Sequence, residues 1–332
     1  MSKHPFSVGL LLLHGRNAIE DFYLPYRQAL ARERPSDPPA CRTAFLGQMK
    51  HPRPGSSVLA WGARVNGRPI GLCAVGISDS EDSADIVHFY VHPEARRTGV
   101  GTALFREAAR HLTKNGLRKV SAFTTSSEAG SSSGDAFAEA IGFVCRLRYK
   151  RLSLQLREAS STPAEQTASG YQILNWRSGV PGEHRAAFAE MSSRLAEEEA
   201  ARSDSSRPHE DFDGEKIDAL YRSLRTWGYR TYLSTVRHVA SNELVGYSSL
   251  GLADSHRRHA SQWDTIVFPS HRGHALGTIL KQANLSWARQ YEPELATVTT
   301  WNAVGNNAML HVNESFGFRG DACGAVWELD LP

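Results

Sequence analysis

The sequence predicts two tandem α/β domains, and three observations predict them. The first is the stretch 86–104, IVHFYVHPEARRTGVGTAL. An apolar run of strand length ends at Pro93, a turn rich in Arg and Gly follows, and Val100 and Leu104 begin a helical spacing. The second is a repeat of that stretch. Val91-His92-Pro93 falls on Val267-Phe268-Pro269, Arg96 on Arg272 and Gly101 on Gly277, each 176 residues on. Thr124-Thr125 falls on Thr299-Thr300 and Gly142-Phe143 on Gly317-Phe318, each 175 residues on. A register kept over about fifty residues marks a duplication. The third is the polar stretch REASSTPAEQTASG at 157–170, which has the composition of a linker. The expected domains are 1–156 and 171–332.

In the first copy, 8–14 reads as a strand and 18–32 as a helix, with the Pro/Arg-rich 34–39 as its stop. Residues 57–76 form the clearest hairpin, because Asn66-Gly67 between apolar runs asks for a type I′ turn. An acidic, Ser-rich loop, 78–85, leads into the strand, loop and helix of 86–104. That helix stops near Asn115-Gly116, a C-cap signal. Then come a strand at 119–125, a Ser/Gly loop at 128–134, a short helix at 135–141 with Asp135 as N-cap, and a strand at 144–156. The second copy runs strand 171–176, charged helix 183–201, polar loop 203–213, helix 214–227 and hairpin 229–252. It closes with strand 263–268, helix 276–289, strand 295–300, helix 306–315 and strand 325–331.

With 332 residues, 41% of them hydrophobic and 22% charged, the composition is that of a soluble globular protein. A net charge of +3 makes no electrostatic case for nucleic acid as a partner. The apolar start VGLLLL is too short for a membrane span and lacks a secretory cleavage site. A cytoplasmic protein without a membrane partner is expected, as a monomer or homodimer. Cys41, Cys73, Cys145 and Cys323 lie far apart with no CxxC, so no metal is expected. Cys73 and Cys145 read as inert core thiols.

The stretch that opens the repeat also carries chemistry. Backbone N–H groups at a helix start have no intrahelical partners, and the helix dipole adds positive charge there, so the site suits a phosphate. Gly99 and Gly101 present no Cβ to an approaching ligand. The order strand, Arg96-Arg97-Thr98-Gly99-Val100-Gly101, helix, strand, helix, Gly142-Phe143, strand resembles the GCN5-related N-acetyltransferase (GNAT) superfamily, and the duplication resembles its tandem members of actinomycete type. The resemblance implies a mixed, mostly antiparallel sheet flanked by helices and splayed open where an acyl-CoA donor enters. It implies acetyl-CoA as donor and acyl transfer to a primary amine of a small molecule, such as an aminoglycoside, a streptothricin-like antibiotic or an amino sugar. Transfer of a formimidoyl or iminoacetyl group, a non-catalytic acetyl-CoA-binding protein and a protein acetyltransferase are the alternatives it leaves.

Under that resemblance, backbone amides of Arg97, Thr98, Gly99, Val100, Gly101 and Thr102 hold the pyrophosphate, and Arg96 and Arg97 add charge. Main-chain groups of Phe89, Tyr90 and Val91 meet the pantetheine arm, and Ser131 stands where members often carry an Asn. The second copy has Ala275 in place of Gly99, so the donor is expected in the first copy, with the second contributing to the acceptor site. A neutral amine needs a base. Members often take it from the strand before the loop, which points to His88 and Asp264, with Glu128 in a following loop as a third candidate. Many members protonate the leaving thiolate with a Tyr four residues before the Gly of G-F, but here those positions hold Ala138 and Asn313. Trp301, Asn302, Asn306 and Asn313 are the expected acceptor contacts, with helix capping as the competing use of Asn306.

Overall fold

The computed structural model describes residues 6–13, 19–79, 82–127, 132–156, 168–201 and 211–332. Two compact units are present: Met1–Arg146 with Gly324–Pro332, and Leu147–Cys323.

Unit 1 contains β1 (Ser7–Leu10), α1 (Tyr23–Glu33), α2 (Arg42–Lys50), β2 (Ser56–Val65) and β3 (Arg68–Ser78). It continues with β4 (Ser83–Val91), α3 (Val100–Lys114), β5 (Lys119–Ser127) and α4 (Ser133–Ala140). The sheet runs β1-β2-β3-β4-β5, and the last strand of the chain lies beside β5. Neighbours from β1 to β4 are antiparallel, and β4 and β5 are parallel. The β2–β3 turn has Asn66 at φ 48 and Gly67 at φ 79, the pair of left-handed residues a type I′ turn needs. On one face, Val100, Leu104, Ala108 and Leu112 of α3 form an i, i+4, i+8, i+12 stripe over Trp61 and Cys73. Phe22, Phe45 and Tyr90 fill the other face. Helix α2 is not legible in the sequence. It begins after Cys41 without a side-chain cap, yet buries Ala44, Phe45 and Met49. Asp135 is not the N-cap of α4. Ser132 is, and Asp135 closes a capping box with it, an arrangement that contributes about 1 kcal/mol.

Unit 2 contains β6 (Val144–Gln155), shared with unit 1, then β7 (Tyr171–Arg177), α5 (Arg185–Ala200), α6 (Gly214–Thr226), β8 (Tyr229–His238) and β9 (Leu244–Ala253). It continues with β10 (His259–Val267), α7 (Leu276–Tyr291), β11 (Thr297–Ala303), α8 (Asn307–Ser315) and β12 (Arg319–Asp330). Its sheet order is β6-β11-β10-β9-β8-β7, with β10 and β11 parallel and the other paired neighbours antiparallel. Both sheets are therefore mixed and mostly antiparallel. The sequence puts the division at 157–170, whereas the compact units change over inside β6 and inside β12. Most of 157–170 lies outside the described residues. The end of β12 serves unit 1: the Leu331 N–H donates to Arg118 O (2.7 Å), and Trp327 Nε1 donates to Thr124 Oγ1 (2.8 Å), whose hydroxyl donates in turn to Asp135.

Two irregularities recur in register. Strand β4 bulges opposite Ala74/Val75, and β10 bulges between Gln262 and Thr265. Beyond them the parallel pairs part. Pairing of β4 with β5 covers only Ser83 to Asp85, and pairing of β10 with β11 only His259 to Gln262. A bulge bends its strand and ends regular pairing, so the splay is its consequence.

Candidate functional site

The unit 1 loop sits where β4 has left β5. The His92 N–H donates back to Ile70 O of the strand on the other side (2.8 Å). Strand groups alternate sides, so the N–H and C=O of Val91 face the open side. Its carbonyl takes the Arg96 Nε–H (3.2 Å). The Arg96 Nη1 pairs with Glu33, which also accepts from Ser133 Oγ (3.1 Å). Arg96 therefore braces the loop, and Arg97, exposed and at φ 62, is the arginine left facing solvent. Thr98 Oγ1 donates to Ala95 O (2.7 Å) and closes the turn.

Gly99, at φ 89, is the N-cap of α3, and no side chain caps that helix start. A Cβ built on Gly99 meets nothing within 4 Å, so the space above the loop is free for a ligand. Gly101 has a different reason to be Gly: a Cβ there meets the Phe137 ring at 3.3 Å and Val91 Cγ2 at 3.5 Å. Phe89 stacks on Phe137 (5.2 Å, 24°), while Tyr90 points to the opposite face and donates to Phe22 O (2.6 Å). Tyr90 is thus an anchor by its side chain.

His88 shares the Tyr90 face. It is 9% exposed, with the rings of Tyr26 and Phe45 each 4.9 Å from its own, and its Nε2 has no hydrogen-bond partner. Burial pushes its pKa down to about 4, so the imidazole is neutral at neutral pH. Glu128 and Ser131 lie outside the described residues.

The unit 2 loop keeps the backbone of the first. The Phe268 N–H donates to Val245 O (2.9 Å), Arg272 Nε to Val267 O (2.9 Å), and Arg272 Nη2 to Glu198 (2.5 Å). The two left-handed positions recur as Gly273 at φ 88 and Ala275 at φ 56. Asp264 is exposed within the β10 bulge, and its N–H donates to Ser249 Oγ (3.2 Å). Burial first, and the Asp264 charge second, push the Tyr221 and Tyr247 phenols up.

The four expected acceptor residues, all in unit 2, have different surroundings. Asn306 caps α8, its Oδ1 accepting from the Met309 N–H (3.3 Å), which is the capping use. Asn313 Nδ2 donates to Asn302 Oδ1 (3.0 Å). Both are buried, and Asn302 Nδ2 and Asn313 Oδ1 have no partner. Trp301 lies 5.8 Å from the Arg151 guanidinium. Sequence reasoning missed Lys281 and Asn284 on the buried face of α7, although the repeat register, which aligns them with Phe105 and Ala108, signals them. Among the described residues, no helix is long and apolar enough to cross a membrane, and no group of His, Cys, Asp and Glu is arranged to hold a metal.

Among solved structures, the chain resembles a tandem GNAT protein from the clavulanic acid biosynthesis pathway, at 26% identity and a TM-score of 0.85, covering 98% of this chain and 99% of that one. Two others share the fold. A GCN5-related N-acetyltransferase from Sphaerobacter thermophilus is 14% identical with a TM-score of 0.68, over 98% of this chain and 96% of that one. A structure from Pyrococcus horikoshii is 13% identical with a TM-score of 0.57, over 99% and 91%. No curated protein matches the sequence. The profile of the acetyltransferase (GNAT) family matches twice, over residues 17–143 and 196–318, one match for each copy of the repeat. With the recurrent bulge, splay and glycine loop, these matches make the chain a tandem member of the GNAT acetyltransferase family.

Proposed function

We propose that this protein is an acyl-CoA-dependent N-acyltransferase that acetylates a primary amine of a small molecule, with acetyl-CoA held on the unit 1 loop. The observation that carries the reading is the open space above Gly99 at an uncapped helix start, beside a strand that has parted from its parallel neighbour. The N–H groups from Arg97 to Thr102 suit the pyrophosphate, with Arg97 adding charge. The outward main-chain groups of Phe89 and Val91 suit the pantetheine arm, and the Val91 N–H suits the oxygen of the reacting carbonyl.

His88 is the base in this reading. Its neutral imidazole has an unpartnered Nε2 that can take a proton, directly or through water. Asp264 and Glu128 are the other candidates. Asn302 and Asn313 offer a free N–H and a free carbonyl to a hydroxylated acceptor, and Trp301 is the remaining candidate contact. An antibiotic or amino-sugar amine fits this polar set, and the pathway named for the tandem relative supports that class. Ala138 and Asn313, which stand where a Tyr acid is often found, favour a second reading, a protein that binds acetyl-CoA without transferring the acyl group.

The test is acetyl-CoA with a panel of aminoglycosides, streptothricins and amino sugars, read by released thiol and product mass. Gly99→Glu should abolish CoA binding by filling the phosphate space with an acid, and normal binding by that variant removes the unit 1 site. With His88 as base, kcat/KM rises with pH through about 4 and stays level through the range where an ordinary His titrates. An acid limb near the ordinary value of 6.5 that persists in His88→Gln assigns the base elsewhere. Binding with no thiol release from any amine selects the non-catalytic reading.

A further inference from the structure

A cavity of about 560 Å³ opens in unit 2 between the end of β7, the turn after it and α6. It includes no residue of the 272–277 loop and no expected donor or acceptor residue. Among the described residues, its wall carries four arginines, Arg177, Arg185, Arg222 and Arg225, against one acid, Asp218. Arg185 is matched, with its Nε 2.9 Å from Asp218 Oδ1. The other three have no carboxylate within ion-pair distance among the described residues. Arg225 Nη1 donates to Ser178 O (2.6 Å) and so holds the turn, which passes through Ser178 at φ 63. Arg177 lies over the Tyr291 and Tyr232 rings, at 4.6 and 5.8 Å, on the sheet face opposite Trp176, so its guanidinium is turned away from α6 and the cavity charge rests on Arg222 and Arg225. The Arg177 charge helps to lower the pKa of Glu292, which is itself bonded to Arg230 and Tyr232. Arg222 is exposed, and its guanidinium makes no hydrogen bond or ion pair among the described residues.

Like charges gathered round one concavity repel each other, and an anion placed among them removes that repulsion. A guanidinium offers forked N–H donors that match two oxygens of one carboxylate or phosphate, and it stays charged at every working pH. The cavity falls in the roughly 300–1,000 Å³ range of small-molecule sites. Tyr221 and Trp176, the latter stacked on His184 (5.0 Å, 18°), give it apolar wall as well. We infer that this cavity is a binding site for a small organic anion carrying two or more negative charges, of the phosphate-ester or polycarboxylate kind. The site is independent of the donor loop, and Asp218 holds the Arg185 guanidinium out of play.

Calorimetric titration of the full chain at low salt tests it, with inorganic pyrophosphate and citrate as separate probes. All titrations use the Gly99→Glu background, so that the unit 1 loop does not contribute. The expected result is one site for at least one probe, and the probe that binds tells phosphate from carboxylate. Arg222→Gln weakens it roughly tenfold, which corresponds to about 1.4 kcal/mol. Arg222→Lys falls between, because charge remains and the fork is lost. Asp218→Asn tightens binding several-fold by releasing Arg185. Binding of neither probe overturns the inference, as does an affinity that Arg222→Gln and Arg225→Gln both leave unchanged.

Discussion

The two units share one backbone plan and fill it with different chemistry. A row of paired residues crosses the unit 1 sheet from the exposed Leu10 to Trp61, Cys73 and Phe89, which pack in the core. The same row in unit 2 is Asn175, Ser234, Ser248 and Thr265. The helix above follows suit: α3 presents Phe105 and Ala108, and α7 presents Lys281 and Asn284. In α4 and α8 the matching residues are Ala138 and Asn313. An apolar row is held by the area it hides, whereas a polar one must be satisfied atom by atom. Much of the unit 2 row is satisfied. Ser234 Oγ donates to Asn175 Oδ1 (2.5 Å), and Ser248 Oγ and Thr265 Oγ1 share a hydrogen bond (2.8 Å). Gln262 Nε2 donates to Ser248 Oγ (3.0 Å), and Asn284 Nδ2 to Ser248 O (2.8 Å). Asn284 Oδ1, Asn302 Nδ2 and Asn313 Oδ1 are left over, each at a cost of about 1–3 kcal/mol. The first unit is filled for packing, and the second carries buried polar groups that packing alone does not account for.

The largest consequence lies at Lys281. It is 3% exposed and makes no hydrogen bond or ion pair among the described residues, and burial pushes its pKa from 10.5 down to about 7. The unfolded chain holds that proton up to 10.5 and the folded chain only up to about 7, so the unfolded state binds more protons between those values. Stability therefore falls as pH drops across that window and levels off below it, by a few kcal/mol in all, on the order set by 1.4 kcal/mol per unit. Lys281→Met should raise the calorimetric unfolding temperature at neutral pH and flatten the slope above it. An unchanged slope would mean the ammonium is solvated, and the contrast between the units would shrink to hydrogen bonds. Unit 1 has a smaller counterpart in a different window. His88 is held neutral down to about 4 against 6.5 unfolded, so stability is lost as pH falls through that range, and His88→Phe should remove that loss.

A smaller effect separates Asn313 from Ala138. Asn313→Ala leaves Asn302 Oδ1 without its donor and should cost about 1–3 kcal/mol in denaturant unfolding. Asn302→Ala on top of it should cost less than it does alone, because the pair is already broken. Additive losses would show that the two amides do not depend on each other.

The architecture was legible where local chemistry and register agreed. Asn66-Gly67, the Gly99 loop and the G-F turns named their own conformations, and the repeat tied distant elements together. Helix α2 was not, since it starts without a side-chain cap and owes its place to Phe45 and Met49 packing against neighbours far away in sequence. Nor was the changeover inside β6 and β12, because a strand's apolar pattern does not say which unit it will pair with. For the site, strand position suggested His88, but the aromatic rings packed against it come from α1 and α2 and cannot be read from its neighbours. The pairing of Arg96 with Glu33 was not legible, because the two lie 63 residues apart. The polar row of unit 2 was within reach, since Lys281 and Asn284 interrupt the apolar periodicity of α7.

The smallest predicted effect tests whether the two loops are one design. Both use a left-handed residue as helix N-cap, Gly99 in one and Ala275 in the other. A left-handed alanine brings its Cβ against the following carbonyl, a strain of roughly 1–2 kcal/mol that glycine escapes. Glycine gives part of this back, because its unfolded chain has more freedom to lose. Ala275→Gly should therefore stabilise unit 2 by under about 1 kcal/mol, and Gly99→Ala should destabilise unit 1 by a similar amount, since nothing else obstructs its Cβ. Chemical unfolding of both variants and their double exchange measures the pair. Equal and opposite shifts would mean the backbone plan is common and only ligand chemistry tells the loops apart. A loss of stability in Ala275→Gly would mean that the Ala275 methyl packs in unit 2, and that the second loop has been rebuilt around it.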